Sequence, residues 1–242
     1  MATVEHHYEH HLGPVYAWTA GGLEAGLLAG AVELDELDLP IAPGTSVIDL
    51  GAGFGMHAVP LARRGAKVLA IDTSAELLQT LEAACAGLPV KVVNDDLLAF
   101  QWHIADTPSV ILCMGDTITH LAEWSSVESL VAGAAAELPP GGLFILSFRD
   151  YTAPLAGDQR FIPVRSDDAR ILTCFLEYRP EFVLVHDILH ERTFSGWQTR
   201  VSHYRKLRLS PGDLTACLQA HGFQVRRGSG LRGMVRLVAT RT

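Results

Sequence analysis

VIDLGAGFGMHAVPLARRGAKVLAIDTS, residues 47–74, decides the fold. An apolar run ends in an acid, Asp49, and a glycine-rich turn follows with Gly51, Gly53 and Gly55. A helix-like run comes next, then a second apolar run, KVLAID, ending in Asp72. Strand, tight loop, helix, strand is the unit that binds a nucleoside-containing cofactor. Glycine lets the backbone turn sharply and approach a ligand with no Cβ in the way. An acid at the tip of the second strand, about 20 residues on, is placed to accept hydrogen bonds from both hydroxyls of a ribose.

The glycine spacing separates the cofactors. A dinucleotide fingerprint reads G-x-G-x-x-G and aims a helix N-terminus at a pyrophosphate. Here the spacing is G-x-G-x-G, and Met56 stands where the third dinucleotide glycine belongs. Asp49 sits two residues before Gly51; a carboxylate there would repel pyrophosphate and suit a cofactor with a cationic amino group. The pattern D-x-G-x-G-x-G, with Asp72 correctly spaced behind it, resembles motif I of the class I S-adenosylmethionine-dependent methyltransferases.

The resemblance extends over residues 45–149 and 208–242. It implies an α/β fold, a Rossmann-like seven-stranded sheet with six parallel strands and one antiparallel. In that family a third strand ends in an acid that contacts the adenine amine. PVKVVNDDLLAF offers Asp95 and Asp96 for this, and the two apolar residues after Asp96 favour it. A fourth strand, SVILCMG at 109–115, ends where the family places the transferring methyl group. LSPGDLTACLQAHGFQVRR and MVRLVATR look like the last helix, the sixth strand and the antiparallel seventh. The resemblance thus carries cofactor contacts to Asp49, Gly51, Ala52, Gly53, Gly55, Asp72, Thr73, Asp95, Asp96, Leu97, Met114 and Gly115. The cofactor it implies is S-adenosyl-L-methionine, with S-adenosyl-L-homocysteine as product.

The whole chain of 242 residues fits one domain with decorations. Residues 1–44 are expected to form an N-terminal helical lid and 150–207 an inserted antiparallel extension. Helices are expected over 2–12 and 14–30, broken at Gly13-Pro14, with a short third segment, AVELDELDLP, ending at Pro40. From about 159 to 209, QRFIPVR, ARILTCFLEY, EFVLVHDILHE and QTRVSHYRKLRLS alternate apolar and polar residues between turn-like breaks. They predict three or four strands with one apolar face and one charged face. This insertion could cover the active site, make a homodimer contact, or pack on its own chain.

A net charge of −8 argues against nucleic acid as the main partner. RRGSGLR at 226–232 is a local basic patch that reads more readily as a solvated edge. Four cysteines without a C-x-x-C pair fit reduced thiols in a cytoplasmic protein. No apolar run approaches the roughly 20 residues of a membrane span, and residues 1–12 do not read as a targeting signal.

Methyl transfer from a sulfonium needs two reactants held in line, and a base only if the nucleophile is protonated. CMGDTITHL at 113–121 lacks both the N/D-P-P-Y/F pattern of enzymes acting on nucleic-acid adenines or glutamine amides and the P-C of cytosine C5 enzymes. Its G-D-T-x-x-H-L resembles small-molecule methyltransferases, including those acting on glycine-like amines. His120 is the candidate base or substrate-orienting group, or a structural residue bonded to the following helix. Asp116 is a candidate helix cap. Tyr8, Tyr16 and Trp18 are candidates for the methionine end of the cofactor; Tyr16 is favoured, with Tyr8 a substrate contact and Trp18 equally a core residue. Arg149 could pair with a substrate carboxylate or make a surface ion pair, and Arg205 and His203 are further candidates of that kind. His6/His10 and His7/His11 have a spacing that can hold a metal, but no third ligand is evident and no metal is expected. The leading expectation is methyl transfer to a small molecule, with an amine as one acceptor. A cofactor-binding protein without turnover remains open. A nucleotide-dependent oxidoreductase is disfavoured by the glycine spacing and the antiparallel last strand.

Overall fold

The computed structural model describes residues 4–242; the part of the expected first helix at residues 2–3 lies outside them. Strands β1 (Ser46–Leu50), β2 (Lys67–Asp72), β3 (Val90–Asn94), β4 (Val110–Cys113) and β5 (Leu143–Phe148) run parallel. The last strand, β11 (Val235–Arg241), pairs antiparallel with both β5 and β10 (Phe223–Ser229). The sheet order is β10-β11-β5-β4-β1-β2-β3, so six strands point one way and β11 alone opposes them. All of β4 and four of the five residues of β1 are buried. Those strands are continuous apolar runs because helices cover both faces of the sheet.

One face packs Ile48, Ile71, Ile111 and Phe144 with residues of α6 (Trp124–Glu137) and α7 (Pro211–Ala220). The other packs Val47, Val68, Val110 and Leu112 with α3 (Leu23–Leu37), α4 (Ala58–Arg63) and α5 (Ala75–Ala84). Each fully buried side chain of this size contributes about 1.5–3 kcal/mol. Helix starts follow their caps: the Ser74 hydroxyl accepts from Leu77 N at the head of α5, and Ser210 accepts from Asp213 N ahead of Pro211. Strand β1 and the loop after it therefore sit mid-sheet, at the carboxyl ends of the parallel strands, where open α/β sheets bind ligands.

The N-terminal region corrects two expectations. Gly13-Pro14 does not break the helix. The short α1 (Val4–His7) passes through one wide π turn, Tyr8–Leu12, into α2 (Gly13–Thr19). Gly13 N donates to Tyr8 O, and the wide turn absorbs the donor that Pro14 lacks. A Cβ on Gly13 would lie 2.4 Å from Tyr8 O. The break falls instead at Gly21 and Gly22, both with φ near +100° (99° and 102°). Helix α3 then runs unbroken to Leu37, so AVELDELDLP is not a separate segment.

The inserted region forms its own four-stranded antiparallel sheet: β6 (Phe161–Ser166), β7 (Arg170–Tyr178), β8 (Phe182–Thr193) and β9 (Gly196–Leu207). The expected division into an apolar and a charged face holds only in part. The buried face carries Leu172, Leu176, Val183, Val185 and Leu189, but also Asp187 and Lys206. The outer face exposes Phe161, Ile171 and Val201. The buried polar groups are tolerated because each is paired, as the site geometry makes plain.

Candidate active site

The loop after β1 is tied to the end of β2. Gly51 N and Ala52 N both donate to Ile71 O, at 2.8 and 3.0 Å. Gly53 N donates to Asp72 Oδ2 and Ser74 N to Asp72 Oδ1, each at 2.8 Å. Gly51 has φ 73°, and a Cβ there would lie 2.3 Å from Thr117 Cγ2. Glycine at 51 thus satisfies both the left-handed backbone and the close approach of the 3-10 turn Thr117–His120.

A cavity of about 320 Å³ opens over this loop. Among its walls are Gly51, Ala52, Gly53, Asp72, Thr73, Asp95, Asp96, Leu97, Met114, Gly115, Tyr8, Tyr16 and His120. Of the twelve expected cofactor contacts, ten line the cavity and two, Asp49 and Gly55, do not. Gly55 packs beneath the loop, where a Cβ would meet Leu81 Cδ1 at 2.4 Å. Asp49 is buried under it, and its Oδ2 has no hydrogen-bond partner among the described residues. Burial, the largest influence, pushes the Asp49 carboxyl up to about 6, against the opposing pull of His57.

Asp72 accepts two backbone N–H bonds, one on each oxygen, which leaves each oxygen a further lone pair toward the cavity. Burial raises its pKa and those N–H bonds hold it down. Of the two acids after β3, Asp95 has both oxygens engaged: Oδ2 lies 2.7 Å from His103 Nε2, and Oδ1 accepts from Asp96 N. His103 holds Asp95 below its usual range. Asp96 accepts from Leu98 N through Oδ1 only.

The opposite wall is aromatic. The Tyr8 hydroxyl lies 3.5 Å from His120 Nε2, Tyr8 meets Tyr16 edge-on, and Tyr204 from β9 stacks on His120 at 5.4 Å. His120 Nδ1 is buried with no partner among the described residues. Burial, then Lys206 and His7, depress the His120 pKa well below its usual value, so the ring is uncharged at neutral pH. Burial raises the pKa of both tyrosines, which remain hydroxyls.

Three candidates lie elsewhere. Arg149 is not in the wall: its backbone N donates to Asp116 Oδ1 and its guanidinium reaches Arg232 O at 3.4 Å. Trp18 Nε1 donates to Asp167 Oδ2 at 2.5 Å, and Arg170 lies over its ring. Asp116 makes no side-chain cap. Its φ of 77° turns the carboxylate instead toward Lys206 Nζ, its ion-pair partner, and the Tyr151 hydroxyl at 3.2 Å.

The histidine run is a clasp. His7 is buried, with Nε2 2.9 Å from Asp187 Oδ2 and Nδ1 2.8 Å from Ser202 Oγ. Cys174 Sγ donates to Asp187 Oδ1. His6 stacks on His10 at 4.3 Å. Sequence reasoning missed the inserted sheet's share of the site, Tyr204 and Lys206, because no local motif marks them. It also missed Phe54, His57 and Thr117 in the wall, although all three lie inside the quoted stretches. His57 Nε2 lies 3.1 Å from the buried Glu33 Oε2, which raises the His57 pKa against the pull of burial.

The family described as "Methyltransferase domain" matches residues 47–142. A cypemycin N-terminal methyltransferase from a Streptomyces species is 30% identical over 154 residues, covering 62% of this chain and 59% of that protein. The chain thus spans less than two thirds of the length of the curated relatives it matches first. The CcbJ methyltransferase of Streptomyces caelestis superposes with a TM-score of 0.76 at 21% identity, covering 98% of this chain and 99% of that one. CalS10, an amino pentose methyltransferase of Micromonospora echinaspora, gives 0.73 at 19%, covering 96% and 97%. Residues 47–142 match a methyltransferase domain, and the chain has the fold of S-adenosylmethionine-dependent methyltransferases. The oxidoreductase alternative is set aside. No helix among the described residues is long and apolar enough to cross a membrane.

Proposed function

We propose that the protein transfers the methyl group of S-adenosylmethionine to an amine of a small molecule. One arrangement carries this reading: a single cavity has a carboxylate floor at one end and the Tyr8, Tyr16, His120 wall at the other. The residues suit the cofactor. Asp72 has free lone pairs for two ribose hydroxyls and Asp96 a free oxygen for the adenine amine, while Asp49, buried beneath the loop, adds negative charge that favours a cationic amino group above it. When bound, S-adenosylmethionine supplies an electrophilic methyl on a sulfonium leaving group.

The chain's own residues then have three tasks. The loop and Asp72 fix the cofactor's position. Tyr8 and Tyr16, kept as hydroxyls, orient the acceptor and exclude water. His120, kept uncharged, orients the acceptor nitrogen, which attacks as the free amine. The relatives named as acting on N-termini and on glycine or sarcosine support an amine acceptor. The acidic chain supports a small molecule over nucleic acid. Exposed Phe161, Ile171 and Val201 support a homodimer through the inserted sheet, and four free cysteines support a cytoplasmic setting.

The test is transfer of a labelled methyl group from the cofactor into the small-molecule fraction of a metabolite extract. A Tyr16→Phe, His120→Ala double variant should keep the cofactor and lose turnover. Label entering RNA or protein alone would refute the substrate class, and wild-type turnover by the double variant would refute the wall assignment.

A further inference from the structure

The space beside His120 continues. A second cavity, of about 190 Å³, shares Val4, His120 and Leu121 with the first and extends between Phe182, Leu207 and Arg205. Its walls are apolar apart from His120 and Arg205. Arg205 is exposed on the edge strand β9, and its guanidinium carbon lies 3.8 Å from the centre of the Phe182 ring. A guanidinium stacked by its face is held in orientation while its in-plane N–H donors stay free at the edge.

Neighbouring arginines are committed to protein acceptors. Arg200 pairs with Glu191, Arg179 with Glu177, and Arg208 donates to the carbonyls of Tyr151, Thr152, Arg179 and Pro180. Arg205 has no hydrogen-bond acceptor and no carboxylate among the described residues. A molecule reaching from the methyl-transfer wall into the second cavity would therefore end at an unpaired guanidinium.

Resting on the methyltransferase reading above, we propose that the second cavity is a subsite for an oxyanion of the acceptor, a carboxylate or a phosphate, held by Arg205 while the acceptor nitrogen lies against His120. The planar fork matches either group with paired N–H bonds. The apolar walls lower the local dielectric and strengthen that contact. Neutral amines would leave the guanidinium unanswered, so the subsite selects acceptors that bear both an amine and an anion.

The test is calorimetric titration of succinate and of inorganic pyrophosphate, at fixed ionic strength, into the protein with and without S-adenosylhomocysteine. One of the two anions should bind the wild type at a single site, and which one it is separates a carboxylate from a phosphate ligand. Arg205→Gln should weaken that binding roughly tenfold or more. Arg205→Lys should retain part of it, and Arg192→Gln, an exposed arginine outside this cavity, should leave it unchanged. Failure of both anions to bind the wild type, or equal binding by Arg205→Gln, overturns the proposal. Failure of S-adenosylhomocysteine to bind would instead count against the methyltransferase reading, and the ligand-free titration still decides the subsite.

Discussion

Residues 46–72, which build the cofactor loop, and residues 161–207, which build the second sheet, bury different things. The first stretch buries an almost wholly apolar set, with Asp49 and His57 as its polar exceptions, and its key bond joins Gly53 to Asp72, 19 residues apart. The second buries Asp187 and Lys206, and its bonds reach His7 across 180 residues and Asp116 across 90. A loop that binds a nucleoside can be specified by neighbours in the chain. The second sheet, a cap on the N-terminal helix and on the turn after β4, is specified by partners far away, and the few polar groups in its apolar interior are held because they arrive in pairs.

The largest expected effect breaks the cap. Lys206→Met strands the buried Asp116 carboxylate and should cost about 3–5 kcal/mol of folding stability by urea unfolding. The low end is expected, because Tyr151 and Arg149 N still donate to Asp116. Glu191→Gln, which removes the exposed partner of Arg200 on the same sheet, should cost under about 1 kcal/mol. Equal costs for the two would mean that the buried pair does not hold the cap.

The next effect falls on the loop and leaves the cap alone. Asp72→Ala should weaken S-adenosylmethionine binding by about 1.5–3 kcal/mol, since a charged acceptor for two hydroxyls is lost. Asp96→Ala should cost less, having one amine to meet. Unchanged affinity in a folded Asp72→Ala protein would remove the ribose assignment.

The smallest effect is a pH dependence that belongs to the loop. With Asp49 at about 6 in the ligand-free protein, its carboxylate must be ionised for its charge to favour an ammonium group across the loop. Affinity should fall as pH drops below about 6, by up to about tenfold per unit. Taken alone, the raised Asp49 value favours the folded ligand-free protein at low pH, and that contribution is lost as pH rises through about 6. Asp49→Asn should flatten the affinity profile below pH 6; a persistent slope in that variant would assign the proton to another group, with His57 the nearest candidate.

The same contrast explains what could be read from the chain. Gly51, Gly53 and Asp72 were legible because left-handed backbone, close approach and a strand-end acid are local demands with few residue solutions. The parallel sheet followed from the alternation of strands with helices, and the antiparallel last strand from the family resemblance. Gly13-Pro14 misled because a π turn can absorb a proline inside a continuous helical run. The faces of the inserted sheet misled because alternation reports which residues share a face, while Asp187 and Lys206 are buried by partners that alternation cannot see. Arg149 stood at the right rim of the sheet, yet its side chain turns to Arg232.

The most direct test of the central claim is calorimetric titration of the wild-type protein near neutral pH with S-adenosylmethionine, S-adenosylhomocysteine and NAD in turn. The account predicts saturable single-site binding of the first two with dissociation constants in the micromolar range, roughly −8 kcal/mol, and no saturable heat with NAD. Saturable NAD binding with no heat from either sulfur ligand would contradict it.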